Sequence, residues 1–113
     1  MLDEITRDFT RYMDLLSTRQ RLVASNIANA DTPGYHTQDI DFQFEFASLT
    51  QDERPQIIEP FGMKQKQDGN TVDLDREARL LAENAIRFNV ASTLLRGKLK
   101  MVRQAIESGG SGA

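Results

Sequence analysis

The chain contains no cysteine, no tryptophan, a single histidine and only three prolines in 113 residues. Without cysteine there is no disulfide, no thiolate metal site and no thiol nucleophile, and the redox compartment stays open. No run approaches the ~20 apolar residues that cross a bilayer as a helix. The start, Met1-Leu2-Asp3-Glu4-Ile5, has no basic region leading into an apolar stretch, so a secretory signal peptide is not expected. A basic excess is missing too: 14 basic against 17 acidic residues give a net charge of −3, which argues against a general nucleic-acid binder. Hydrophobic residues at 39% and a mean hydropathy of −0.50 are low for a chain that must build its own core. That points to burial against partners or to partial disorder.

The chemistry-bearing side chains are equally sparse. His36 stands alone beside a turn, without the base partner or nucleophile that a triad requires. Asp73, Asp75 and Glu77 resemble the start of a calcium loop, but no glycine follows at the turn and the twelfth position is Asn84. They read better as acidic residues at a helix start, and Arg96, Lys98, Lys100 and Arg103 as basic residues near its end. Asp39 and Asp41 read as a solvated strand face, and no glycine-rich phosphate loop is present. No catalytic residue, metal ligand, cofactor, small-molecule substrate or enzymatic activity is expected.

What is there is helical periodicity at both ends. Leu2, Ile5, Phe9, Tyr12, Leu16, Val23 and Ala30 recur in steps of three and four, overlapped by a second line through Met13 and Ile27. No glycine or proline interrupts before Pro33, which pushes Thr32 out of the helical region, so the helix should end near Asn29. Toward the other end Leu74, Ala78, Leu81, Ala85, Phe88, Ser92, Leu95, Leu99, Val102 and Ile106 form a heptad seam. A second line, Ile86, Val90, Leu94 and Met101, lies on another face, and one helix of the same chain cannot cover both. Between the helices Thr32-Pro33-Gly34-Tyr35 fits a type II turn. Ile40, Phe42, Phe44 and Phe46 alternate with polar residues, which favours a strand. Ile57 and Ile58 between Pro55 and Pro60 suggest a short edge segment, and Asp68-Gly69-Asn70 is a turn signal.

The expected fold is mainly α: long N- and C-terminal helices pairing as an antiparallel coiled coil around a short irregular or small β middle. The expected divisions are an N-terminal helix over 1–30, a turn and middle over 31–71, a C-terminal helix over 72–107 and a flexible Gly/Ser tail over 108–113.

Two segments are more particular than their secondary structure demands. SNIANADTPGY contains Asn26, Asn29, Asp31, Thr32, Pro33, Gly34 and Tyr35; DGNTVDLDRE contains Asp68, Gly69, Asn70 and Asp73. The first closely resembles the signature of the bacterial flagellar rod and hook proteins, the axial family. The second is similar to the segment opening the C-terminal helix of a proximal-rod member. Arg19-Gln20-Arg21 and Asp39-Ile40-Asp41-Phe42 share the likeness, which covers about 2–46 and 68–106. Ala47 to Gln67 match no family motif, and Phe88 stands where the family commonly has tyrosine.

The resemblance implies a structural subunit of the flagellar proximal rod. Such a subunit self-assembles with other rod proteins into the tube that transmits torque and leaves an export channel. Its partners would be copies of itself, other rod proteins, and the membrane ring and export gate at the rod base. It would reach the periplasmic rod through the flagellar type III apparatus without a cleaved signal. It also implies helix-seam contacts through Phe9, Leu16, Val23, Ile27, Leu81, Phe88, Leu95, Leu99 and Val102, and a possible export-gate motif in Phe42 and Phe46. The heptads alone equally suit a soluble helical adaptor or export chaperone that grips a partner helix; the two motifs do not.

Overall fold

A computed structural model describes residues 2–48 and 54–111. Three helices follow in order: α1 (Leu2–Ala28), α2 (Phe42–Ala47) and α3 (Leu74–Ser111). The molecule is an elongated arm of 72 × 27 × 18 Å.

The long helices run antiparallel. Asn26 near the end of α1 meets Glu77 at the start of α3, and Leu16 and Gln20 face Asn84 one step along. At 1.5 Å per residue α1 is about 40 Å long and α3 about 57 Å, so α3 outruns its partner. Acidic Asp3 and Glu4 lie in the first turn of α1, where they complement the helix dipole. Its last turn tightens, with Asn29 N donating to both Ser25 O and Asn26 O and Ala30 N to Ile27 O. The α3 start is capped by its own sequence: Asp73 Oδ1 accepts from Asp75 N at 3.0 Å and Arg76 N at 3.3 Å.

The core is small and off-centre. Leu15, Leu16, Leu22, Ile40 and Phe42 form one buried cluster with Tyr12 against it, and Val23, Val72, Leu80 and Ala91 are buried beside it. Beyond this region the arm is thin, and large apolar side chains along α3 stay exposed.

The expected strand over Ile40–Phe46 is not formed; residues Phe42–Ala47 make a short helix. Asp41 caps it, its carboxylate accepting from Phe44 N at 3.2 Å. A helix brings Phe42 and Phe46 to one side at spacing i, i+4, where both meet the Tyr12 ring edge-on at 5.3 and 5.6 Å. A strand would put Phe44 on that side as well, but Phe44 is 65% exposed. The alternating phenylalanines satisfied both periods, and the cap and the Tyr12 contacts decide for the helix. Among the described residues the only β pairing is a single antiparallel bridge, Asp39 with Ile58, closed by two 2.8 Å bonds.

The C-terminal helix continues past 107 through Ser111, so residues 108–111 of the expected tail are helical. Residues 112–113 of that tail, and 49–53 of the middle, lie outside the described residues.

Candidate functional site

The two motifs singled out in the sequence, about forty residues apart, close on each other at the turn end of the arm. Asn26 is at the centre, fully buried. Its Nδ2 donates to Gln38 O at 2.8 Å and Glu77 Oε1 at 3.1 Å. Its Oδ1 accepts from Gln38 N and from the Tyr35 hydroxyl, each at 3.0 Å. Two donors and two acceptor sites are the whole capacity of a carboxamide, and all four are used. One side chain therefore fixes α1, the chain leaving it and the start of α3.

Asn70 does the same from the other motif and is also fully buried. Its Nδ2 donates to Asn29 O at 2.9 Å and Thr32 O at 2.8 Å, and its Oδ1 accepts from Val72 N at 2.8 Å. It adds a second bond to each of these carbonyls, which also accept Thr32 N and Tyr35 N, and so ties the turn after α1 to the second motif. Asn29 Nδ2 caps Ser25 O at 2.8 Å, and the Thr32 hydroxyl donates to Asn29 Oδ1 at 3.0 Å. Tyr35 N donates to Thr32 O, closing the turn with Gly34 at φ +74. Gly34 N then donates to Asp68 O at 2.8 Å and Thr71 N to Tyr35 O at 3.0 Å, stitching the turn to the loop. The two glycines nearly touch here: a Cβ on Gly69, itself at φ +86, would sit 3.3 Å from Gly34 Cα. Thr37 and Thr71 add a buried hydroxyl pair at 3.0 Å.

An ionic layer backs this polar one. Asp39, nearly buried, takes both guanidinium nitrogens of Arg19 at 3.0 Å and also pairs with Arg76. Arg76 reaches Glu77 at 2.8 Å. Glu77 is fully enclosed, and its second oxygen has no partner among the described residues. Such a pair specifies one arrangement more than it stabilises, because desolvation consumes most of the Coulomb gain.

The clasp thus unites Asn26, Asn29, Thr32, Gly34, Tyr35, Asp68, Gly69, Asn70 and Asp73, while Asp31 and Pro33 lie exposed on its outer edge. The expected seam residues fall elsewhere. Leu16 and Val23 are buried against the rest of the chain and Phe9, Leu95 and Val102 half-buried. Ile27, Leu81, Phe88 and Leu99 are exposed, Leu99 to 50%. The α3 residues buried most deeply are instead Glu77, Leu80, Asn84 and Ala91. Sequence reading missed Arg19, Asp39, Arg76 and Glu77 as an ionic core. The available signal was that Arg19 and Asp39, like Arg76 and Glu77 in DGNTVDLDRE, fall inside the resembling segments.

Nothing here is arranged for chemistry. His36 sits on the surface paired with Glu59 at 3.0 Å, and no group of three metal-ligating side chains occurs among the described residues. Among the described residues no helix is long and apolar enough to cross a membrane.

The sequence model of the flagella basal body rod proteins matches residues 13–36, the half of the clasp that α1 and its turn supply. Flagellar basal body rod protein FlgB of Escherichia coli (strain K12) is 32% identical over 133 aligned residues that take in 96% of each chain. The chain belongs to the FlgB family. The FlgB of Yersinia ruckeri is 29% identical, with 96% of this chain and 97% of that protein aligned. That of Buchnera aphidicola is 27% identical over 88% and 91%. The 133-residue alignments are longer than this chain, so those FlgB proteins carry residues that it lacks. A member of the FlgB family is a structural subunit of the flagellar basal-body rod and not an enzyme, and neither relatives nor geometry favour the adaptor reading.

Proposed function

We propose that this chain is a subunit of the proximal rod, with α1 and α3 forming the antiparallel coiled coil of the tube wall. The observation that carries this reading is the apolar surface α3 leaves open in the single chain. Leu81, Phe88 and Leu99 on the expected seam are exposed, as are Ile86, Val90, Leu94 and Met101 on a second line. Together they form two faces for neighbouring helices, and a helix apolar over most of its circumference belongs inside an assembly. The seam residues Phe9, Leu16, Val23, Ile27, Leu81, Phe88, Leu95, Leu99 and Val102 are assigned to helix contacts within and between subunits. The clasp sets the direction in which the chain leaves the inner helix.

The partners on this reading are other copies, other rod proteins, and the ring and export gate at the rod base. The subunit travels through the flagellar type III apparatus to the periplasmic rod, unfolded, so that Phe42 and Phe46 are readable by the gate before they pack on Tyr12. The tube transmits torque and leaves an export channel. Purified hook–basal bodies analysed by mass spectrometry test the reading. Peptides of this chain should persist at stoichiometric levels after salt and detergent washing. Recovery in the cytoplasmic fraction alone, in a flagellated cell, refutes it. A Pro33→Ala, Gly34→Ala double variant should assemble poorly, because it frees the exit of α1.

A further inference from the structure

The middle segment carries a knob that nothing in its own chain receives. Phe61 is 105% exposed, at a tip where Gly62 adopts φ +80. The loop is rooted firmly: the Asp39–Ile58 bridge holds it before the tip, and Lys66 N donates to Asn70 O at 2.9 Å after it. An aromatic ring held out on a rooted turn is what an interface anchor looks like. Elsewhere on the surface lies a groove of about 350 Å³ between α1, α2 and α3. Its apolar lining is Phe9, Tyr12, Phe46, Ile86, Val90 and Leu94. A cavity of about 150 Å³ already accepts benzene, so a phenyl ring fits with room for its neighbours.

Phe61 cannot fill this groove in its own chain. Gly62 and Met63 lie against Leu74 and Asp75 at the start of α3, whereas Val90 is sixteen residues further on, about 24 Å along the helix. Charge favours the match between molecules. Exposed Lys64 and Lys66 follow the knob, while exposed Asp8 lines the groove and exposed Glu4 lies one turn before it on α1. Of the nearby cations, Arg11 is tied to Glu45 and Arg87, which lines the groove beside Asp8, lies over the Phe42 ring at 5.9 Å.

We propose that Phe61 of one copy seats in the α1–α2–α3 groove of the next copy. Knob and hole are different patches well apart on one chain, so the contact is heterologous: passed from copy to copy it makes a ring where the rotation closes and an open helical array where it does not, and the rod reading selects the helix. The inference rests on the reading of this chain as a self-assembling rod subunit and adds which two surfaces meet.

The chain has no cysteine, so cross-linking can be placed at will. Phe61→Cys and Val90→Cys variants of the full chain are mixed at high concentration, oxidised with diamide and mapped by peptide mass spectrometry. The 61–90 disulfide should exceed, by about tenfold, that of Phe61→Cys with an exposed Glu83→Cys control. Equal yields overturn the proposal. Disulfides confined to pairs of Val90→Cys chains overturn it in favour of a helix of another copy in the groove, and no Val90→Cys cross-link at all gives the groove to another rod protein. In cells Phe61→Ala, which removes no intramolecular contact, should lower recovery in basal bodies severalfold at unchanged circular dichroism. Full recovery of that variant overturns the knob but leaves the rod reading intact, whereas absence of the unmodified chain from basal bodies refutes the rod reading itself.

Discussion

Replacing Asn26 with alanine should cost more than any exposed substitution on α1, and the cost can be worked from its four bonds. Two of its partners keep another contact: the Tyr35 hydroxyl lies 3.2 Å from Ser25 Oγ, and Glu77 Oε1 keeps Arg76 at 2.8 Å. The Gln38 N–H and C=O lose the partner that holds them. Each buried polar group left unsatisfied costs about 1–3 kcal/mol. Gln38 is reached partly by solvent, so the sum should fall at about 2–4 kcal/mol. That is a large fraction of the 5–15 kcal/mol typical of a whole domain. Urea denaturation followed by circular dichroism measures it as a drop in midpoint at an unchanged slope. The control is Asn89→Ala on an exposed face of α3, which should change stability by less than about 0.5 kcal/mol. If Asn26→Ala matches that control, the clasp does not hold the turn end of the arm, and the argument built on its geometry fails.

Three further outcomes follow from the same contacts. Gly69→Ala should destabilise by about 1–3 kcal/mol, because the residue sits at φ +86 with its Cβ 3.3 Å from Gly34 Cα, whereas Gly34→Ala meets open space and should cost only the ~1–2 kcal/mol of its φ; thermal melts that reverse this order refute the close approach. Arg76→Ala should cost about 3–5 kcal/mol by leaving Glu77 enclosed without its cation, and clearly less in a Glu77→Gln background; a double-mutant cycle with no coupling refutes the ionic layer. Phe42→Ala should cost about 3–5 kcal/mol and Phe44→Ala less than about 0.5, and equal losses would mean that α2 does not dock on Tyr12.

The helices were legible because their periodicity is long and uninterrupted. Their boundaries came from chemistry that speaks locally, as with Pro33, Gly34 and the acidic start at Asp73. The end of α3 was not legible, because Gly109 and Gly110 read as a tail while the helix runs through Ser111, and two further features were hidden for different reasons. Residues 40–46 carry apolar groups at every second position, and a set spaced by two contains pairs spaced by four. The choice between strand and helix then rests on tertiary contact, here Tyr12, which periodicity cannot see. The face of α3 that packs on α1 was obscured by polarity. Glu77 and Asn84 point inward because Arg76 and Asn26 hold Glu77 Oε1, and the Leu16 carbonyl and Gln20 take the Asn84 amide. A reading of hydrophobicity assigns such residues to solvent and rotates the inferred face toward Leu81 and Phe88.

That rotation has a physical consequence. Because the inner face near the clasp is polar and bonded within the chain, the apolar residues of α3 are not consumed by folding. Nine of them, Leu74, Leu81, Ile86, Phe88, Val90, Leu94, Leu99, Met101 and Ile106, remain exposed. Burying their remaining surface is worth about 1 kcal/mol apiece, half of what full burial brings. Association itself costs about 4–15 kcal/mol in lost freedom and ordering. One neighbour, covering one of the two faces with four or five of them, therefore stands only at the bottom of that range. Contacts on both faces at once approach balance, and each later subunit benefits from those already placed. A polar clasp that holds the chain at one end and an apolar arm left unsatisfied along the rest is thus a molecule that stays single when dilute and holds in an array where several neighbours meet it together.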